Sequence, residues 1–279
     1  MVNNKLIWIT ALIFIAFAFQ VNAGQLNSSD PDLIAWYPFD DASTKVQDNK
    51  TNVNSISSRL MQINLTEAGT PSYQQAQLVN YSQYSVGFDG NDYLYNRSIN
   101  DHIGFGGEKG ITISAWVITN TTATNQRLFN TETANTGWFC GWINPDGDFE
   151  WFCTFSDGGV GVDSGAGITG TPAYAFVTMI ANSTRFTLYI NGTQAGAGAA
   201  ITPTASDKGN NFTYGKRNEF ATTFLDGRTG YMFIWNRTLG ETEIRHLMTY
   251  GINTTIDAPG EPDTTPPEIN LINLTSEGG

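Results

Sequence analysis

The feature that most constrains this chain is its punctuation. Apolar and aromatic segments of five to ten residues recur between residues 33 and 235, each bounded by Gly, Asn, Asp or Pro. Segments that short, separated by turn-forming residues, read as strands rather than helices. Residues 33–39 are apolar and aromatic, and residues 85–94 are strand-like around a turn at Asp89-Gly90-Asn91-Asp92. Ile111, Ile113, Ala115 and Val117 alternate and so share one face of a strand. Residues 138–143 and 149–155 flank a Pro-Asp-Gly turn, and residues 174–181 are continuously apolar, as in a strand buried on both faces. Residues 186–190 run into Asn191-Gly192, a two-residue hairpin signal, and residues 230–235 form the last strong strand. Residues 44–82 are polar and irregular and read as loops with at most one strand.

Only residues 239–250 carry helical spacing. Glu241 and Glu243 lie in the first turn, where the helix dipole favours acids. Ile244, Leu247 and Met248 form the apolar stripe, Gly251 marks the stop, and Gly240 stands where a capping side chain is expected. His246 is expected on the exposed side of this helix, and His102 in a loop. An almost all-β chain with one short helix is a two-sheet antiparallel sandwich or jelly roll. Charged residues make up only 14% of the chain, which disfavours helical bundles and coiled coils. The 14 basic against 26 acidic residues give a net charge of −12, which repels phosphate backbones and argues against nucleic-acid binding.

The ends differ from the middle. Lys5, a 14-residue run from Leu6 to Phe19 with only Thr10 polar, and Val21-Asn22-Ala23 together read as a secretory leader covering residues 1–23. The run is too short to cross a bilayer, and no later stretch is apolar enough, so the mature chain is expected to be secreted or extracellular without a membrane span. The recognition domain is expected over residues 24–252. Residues 253–267 are Pro-rich linker, and residues 268–279 open a new strand pattern, the expected start of a truncated further module of a larger parent protein. Asn-X-Ser/Thr acceptors fall at Asn27, Asn49, Asn64, Asn80, Asn96, Asn120, Asn182, Asn191, Asn211, Asn236, Asn253 and Asn273, a pattern compatible with an exported glycoprotein.

The two cysteines lie on facing arms of one hairpin. A two-residue turn at Asp146-Gly147 sets Cys140 against Cys153 and Trp142 against Trp151. Both pairs would then be non-hydrogen-bonded, with Cα atoms about 4.5 Å apart, a separation that suits a disulfide in an oxidising compartment. The alternative is a bulged turn over Asn144-Pro145-Asp146-Gly147, which sets Trp142 against Glu150 and splits the cysteines between faces. Facial consistency favours the first register. Pro145, which cannot donate the flanking hydrogen bond, favours the second.

Catalytic patterns are missing from the sequence. No Glu-x-Asp-x-x-Glu strand is present, Glu150 stands alone among aromatics, and Glu132 has no acidic partner near it in sequence. Ser164 lies in Val-Asp-Ser-Gly-Ala rather than a nucleophile elbow. Asp89, Asn91 and Asp92 crowd hard oxygens into one turn and are the first candidates for a Ca2+ site; Asp40, Asp41 and Asp48 are weaker ones. Asp146 and Asp148 read as turn residues. Trp116, Trp138, Trp142, Trp151 and Trp235 could stack on sugars but read as core.

Five segments in order resemble the laminin-G-like (LamG) domain of the concanavalin A-like lectin/glucanase superfamily. Leu33-Ile34-Ala35-Trp36-Tyr37-Pro38-Phe39-Asp40 is similar to its opening strand, and Ser85-Val86-Gly87-Phe88-Asp89-Gly90-Asn91-Asp92-Tyr93-Leu94 to its second marker. Ile111-Thr112-Ile113-Ser114-Ala115-Trp116-Val117, Phe186-Thr187-Leu188-Tyr189-Ile190-Asn191-Gly192, and Trp235-Asn236-Arg237-Thr238-Leu239 with Glu241 and Glu243-Ile244 complete the set. The resemblance covers about residues 31–250 and implies a two-sheet antiparallel jelly roll. It also implies calcium ligands near the Asp89 turn. Many relatives carry an acidic pair just before the last marker; the matching positions here are Gly230 and Tyr231. Residues 263–269 resemble the start of immunoglobulin-like repeats in microbial surface proteins. The expectation that follows is a non-catalytic module that binds a glycan or an extracellular protein, within an exported cell-surface adhesion protein. A glycan-active enzyme or its accessory domain, and a structural spacer, are the alternatives.

Overall fold

A computed structural model describes residues 26, 30–39, 65–75, 78, 85–97, 99, 109–120, 125–132, 136–143, 150–155, 160–165, 174–203, 211–217 and 223–252. The leader, the linker and the terminal segment lie outside the described residues, as do His102, Asp40, Asp41, Asp48, Asp146 and Asp148.

Among the described residues, fifteen strands and one helix follow in order: β1 (Leu33–Tyr37), β2 (Thr66–Ala68), β3 (Ser72–Gln75), β4 (Ser85–Asp89), β5 (Tyr93–Asn96), β6 (Ile111–Thr119), β7 (Gln126–Asn130), β8 (Trp138–Ile143), β9 (Glu150–Phe155), β10 (Val160–Asp163), β11 (Tyr174–Ala181), β12 (Arg185–Ile190), β13 (Thr193–Ala200), β14 (Phe212–Tyr214), β15 (Asp226–Trp235) and α1 (Glu241–Tyr250). One sheet runs β13-β12-β11-β6-β15-β4-β3 with β1 also on β15; the other runs β10-β9-β8-β7-β14-β5-β2. All the pairings are antiparallel, as the jelly-roll reading requires.

The central strands explain the alternation. Ile111, Ile113, Ala115 and Val117 of β6 are fully buried in the core between the sheets, while Trp116 belongs to a second apolar cluster on the other face. That second cluster lies under α1, with Ile244 and Leu247 of the helix joining Phe176, Phe233 and Trp235 of the sheet, and with Leu26 and Ile252. The first sheet is therefore buried on both faces, which is why β11 reads as a continuous apolar run. At Tyr231, φ is 46°, and the pairing of β15 with β6 slips between Gly230 and Met232. The bulge falls where β15 exchanges β4 for β1 as its second neighbour. Tyr231 uses it to stack on Trp36, with ring centroids 6.1 Å apart.

Asn191 and Gly192 both take positive φ, 51° and 74°, and join Ile190 directly to Thr193, the two-residue turn expected. The helix begins at Glu241, two residues later than its sequence pattern. Glu243 Oε2 accepts the Gly240 N–H at 2.8 Å and so replaces the missing capping side chain.

Two expectations are corrected. The 44–82 stretch holds two short strands, β2 and β3, rather than at most one. Both are fixed by pairing with β5 and β4, not by any pattern of their own. His246 is buried, not exposed: its ring packs 5.1 Å from that of Tyr250 on the helix. The helix buries a wider arc than the stripe of aliphatic residues marks.

Candidate functional site

The cysteines meet. β8 and β9 pair with Cys140 opposite Cys153 and Trp142 opposite Trp151, the first of the two registers. The disulfide joins Cα atoms 4.1 Å apart, close to the spacing of a non-hydrogen-bonded pair. Trp116, Trp138, Trp142, Trp151 and Trp235 are all buried, so none of them offers a sugar platform.

The Asp89 turn crosses from one sheet to the other. Asp89 Oδ1 accepts the Asn91 N–H at 3.2 Å, and the buried Asp92 accepts the Thr70 N–H at 2.5 Å. Burial, with the nearby charge of Asp89, pushes the Asp92 carboxyl above the usual carboxylate range. Among the described residues no three His, Cys, Asp or Glu side chains converge as a metal cluster.

Of the acceptor asparagines, Asn120 and Asn211 are exposed, and Asn191 is exposed at its hairpin tip. Asn96, Asn182 and Asn236 are half-buried. Asn96 Oδ1 accepts the Ile99 N–H, and Asn182 Oδ1 accepts the N–H groups of Thr184 and Arg185. Asn27, Asn49, Asn64, Asn80, Asn253 and Asn273 lie outside the described residues.

A different place has the form of a binding site. In the second sheet, Leu94, Phe212 and Tyr214 point into the core, so their neighbours Tyr93, Tyr95 and Thr213 point outward. No described helix covers that face. There β2, β5 and β14 border a groove of about 260 Å³. Its floor is aromatic: Tyr93 and Tyr95 are half-buried, with ring centroids 5.9 Å apart. Lys216 Nζ lies 4.4 Å from the centre of the Tyr93 ring and 5.0 Å from that of Phe224, and the Arg97 guanidinium stands 6.0 Å from that of Tyr95. Glu67 and Asn211 supply polar rims. Glu67 Oε1 accepts the Tyr73 hydroxyl at 2.8 Å, and burial beside this acid drives the phenol well above its ordinary pKa. Thr213 Oγ1 donates to the Lys216 carbonyl at 2.7 Å, which fixes the chain that carries the lysine.

This arrangement can hold a polar, ring-shaped ligand by stacking and by hydrogen bonds from acid, amide and cation together. Sequence reasoning passed over it. Tyr93 was read only as part of a strand marker, and the three segments that build the groove are far apart in the chain. The one signal available was alternation: Tyr93 and Tyr95 flank the core residue Leu94.

The concanavalin A-like lectin/glucanase superfamily profile, of laminin-G type, matches residues 88–245. Among curated proteins none matches. Similar solved structures include domain 4 of AbnA, a GH43 extracellular arabinanase from Geobacillus stearothermophilus, in complex with arabinotriose. It is 15% identical with a TM-score of 0.55, over 78% of this chain and 98% of that one. A mutant Trypanosoma rangeli sialidase displaying trans-sialidase activity is 14% identical with a TM-score of 0.56, over 78% of this chain and 32% of that one. Botulinum neurotoxin type C, whose cell entry depends on two ganglioside molecules, is 14% identical with a TM-score of 0.52, over 78% of this chain and 50% of that one. At such identities the likeness is one of fold.

Proposed function

The chain belongs to the concanavalin A-like lectin/glucanase superfamily, and from that premise we propose that it is a non-catalytic module that binds a glycan in the groove bordered by β2, β5 and β14 of its second sheet. The observation that carries the reading is the groove with Tyr93 and Tyr95 as floor and Glu67, Asn211, Arg97 and Lys216 around it. A sugar ring presents an apolar face to a tyrosine and hydroxyls to the rim, and this groove offers both kinds of contact in one place. Glycoside hydrolysis uses two placed carboxylates, whereas Glu67 is the one acid among the described lining residues. The arabinotriose-bound arabinanase domain and the ganglioside-dependent toxin are consistent with a glycan as the ligand class.

The test is a glycan panel with the full chain. Binding without turnover is expected, and Tyr95→Ala should weaken it about fivefold or more, the loss of roughly 1 kcal/mol of ring stacking. Turnover by the chain would overturn the reading in favour of the enzyme, and silence across the panel would favour a spacer or a protein ligand.

Export and a place in a cell-surface adhesion protein with further domains fit the disulfide and the leader pattern, and belong to the same proposal. Calcium at Asp89, Asn91 and Asp92 is a separate proposal. Burial and the nearby charge of Asp89 raise the Asp92 carboxyl, which suits a dication, but Asp89 and Asp92 each already accept a backbone N–H, and three side chains are half of what Ca2+ takes. A bound ion stabilises the folded state, so a chelator should lower the Tm; an unchanged Tm removes the ion.

A further inference from the structure

The groove carries an acceptor for a sugar of the chain's own. Asn211-Phe212-Thr213 is one of the Asn-X-Ser/Thr triplets, and Asn211 lines the groove. Between β14 and β5, Phe212 pairs with Asn96 and Thr213 with Tyr95, so Asn211, one step further, falls opposite Arg97. Alternation puts Asn211 on the side of Thr213, and Arg97 on the side of Tyr95. Across such an antiparallel pair the diagonal from Asn211 to Tyr95 is about 7–8 Å. The first sugars of a chain bonded to Asn211 reach the tyrosine floor over that distance. Asn211 is also exposed, so the folded protein has room for such a sugar.

The other described acceptors face elsewhere. Asn96 alternates with the core residue Leu94, so it turns away from the groove, and it accepts the Ile99 N–H at 2.7 Å. Asn182 and Asn191 sit in the turns that join β11 to β12 and β12 to β13, in the first sheet. Asn120 donates its side-chain amide to Asp226 Oδ1 at 2.9 Å, and Asn236 follows β15. Asn211 is thus the one acceptor among the described residues that lines the groove. Thr213, the hydroxyl residue of its triplet, is only 3% exposed and donates to the Lys216 carbonyl at 2.7 Å. A transferase must read that hydroxyl before β14 pairs, so the groove forms with the sugar already attached.

We propose that Asn211 is N-glycosylated and that its own sugar lies in the groove, closing it to outside glycans. The inference rests on the glycan-binding reading and adds its regulation: the site is open only in chains that lack this modification. The donor is a polyprenyl-phosphate-linked oligosaccharide, and the catalyst is the host's oligosaccharyl transferase. Asn211 Nδ2 forms the bond to C1 of the sugar, the C1–O bond to phosphate breaks, and the phosphate leaves with the bonding pair. One amide proton passes to a base of the transferase. A tethered sugar has an effective concentration on the order of millimolar, so it displaces a free glycan of similar affinity at any lower concentration.

The full chain, secreted from a host with an oligosaccharyl transferase and from one without, tests this. Peptide mass mapping should find sugar on Asn211 from the first host. By calorimetry, the unmodified chain should bind its best partner from a glycan panel at least tenfold tighter than the modified chain. Asn211→Gln, made in both hosts, should bring that ratio to about one. The comparison of hosts needs no variant, so it stands even if Asn211→Gln itself weakens binding. An unmodified Asn211 from the glycosylating host overturns the proposal. Equal binding by the two wild-type forms overturns it too, and leaves the glycan reading intact. A ratio that persists in Asn211→Gln moves the block to another acceptor and likewise overturns it. No glycan bound by the unmodified chain sinks the glycan reading itself, and this proposal with it.

Discussion

Gly141 sits where β8 passes so close to β7 that a methyl group would overlap the carbonyl oxygen of Gln126. The obstacle is backbone and cannot rotate away, so Gly141→Ala should cost about 1–3 kcal/mol in urea unfolding. The same close approach leaves the space above Gly141 to its neighbours on the outer face, Arg127 and Phe152. Arg127 carries the opposite prediction. Its pKa is lowered to about 10, so at neutral pH the charged form is less favourable in the folded chain than in the unfolded one. That penalty is complete below pH 10 and is relieved only as the pH rises from there toward the ordinary guanidinium value. Arg127→Met, which keeps the packing on Phe139 and removes the charge, should therefore raise stability at pH 7 by on the order of 1 kcal/mol. Thermal melting at pH 7 checks it. A lower Tm would mean that the nearby Glu132 carboxylate and the Phe139 ring together more than offset the burial of the guanidinium.

Among the elements, the β8–β9 hairpin is tied by its own disulfide. Closing a loop of this length, with the cysteines 13 residues apart, restricts the unfolded chain by about 3 kcal/mol, so Cys140→Ser with Cys153→Ser should lower unfolding stability by about 2–4 kcal/mol. The helix depends on one carboxylate. Glu243 receives Arg237 at 2.7 and 3.1 Å and also caps Gly240, while Arg237 reaches Asp30 at 3.3 Å. Glu243→Ala should cost about 1–3 kcal/mol and loosen α1 from the sheet, seen as faster amide exchange from Ile244 to Leu247. The register of β8 on β9 was legible because bulky residues alternate on both arms, and β6, β11 and the Asn191 turn were legible for similar reasons. β13 was not: Thr-Gln-Ala-Gly-Ala-Gly-Ala-Ala has almost no apolar contrast, and only its pairing with β12 makes it a strand. β2 and β14 have three residues each, below the length at which any period shows. The groove is made chiefly from these short strands with β5, so it was hidden for the same reason.

At the scale of the whole molecule, the two faces of the sandwich divide the work. The first sheet spends its outer face on α1 and aromatic packing, whereas the outer face of the second sheet, among the described residues, opens at the groove bordered by β2, β5 and β14. The chain carries a net charge of −12 from only 14 basic residues, yet Arg97 and Lys216 both line that groove. Elsewhere Lys109, Arg217, Arg237 and Arg245 are each committed to a nearby acid. A neutral glycan gives that field no charge to act on, whereas an acidic one meets repulsion at long range. Salt separates the two: raising ionic strength from 0.01 to 0.15 M shortens the screening length from about 30 to about 8 Å, which removes the distant repulsion and leaves ring stacking untouched. The association rate of a neutral oligosaccharide should thus stay constant with salt, while that of an acidic one should rise severalfold. Stopped-flow measurement across that range decides the matter. A steep fall in the association rate of the acidic sugar would show that Arg97 and Lys216 govern the field well beyond the groove, and that the ligand is drawn in by charge rather than held by stacking.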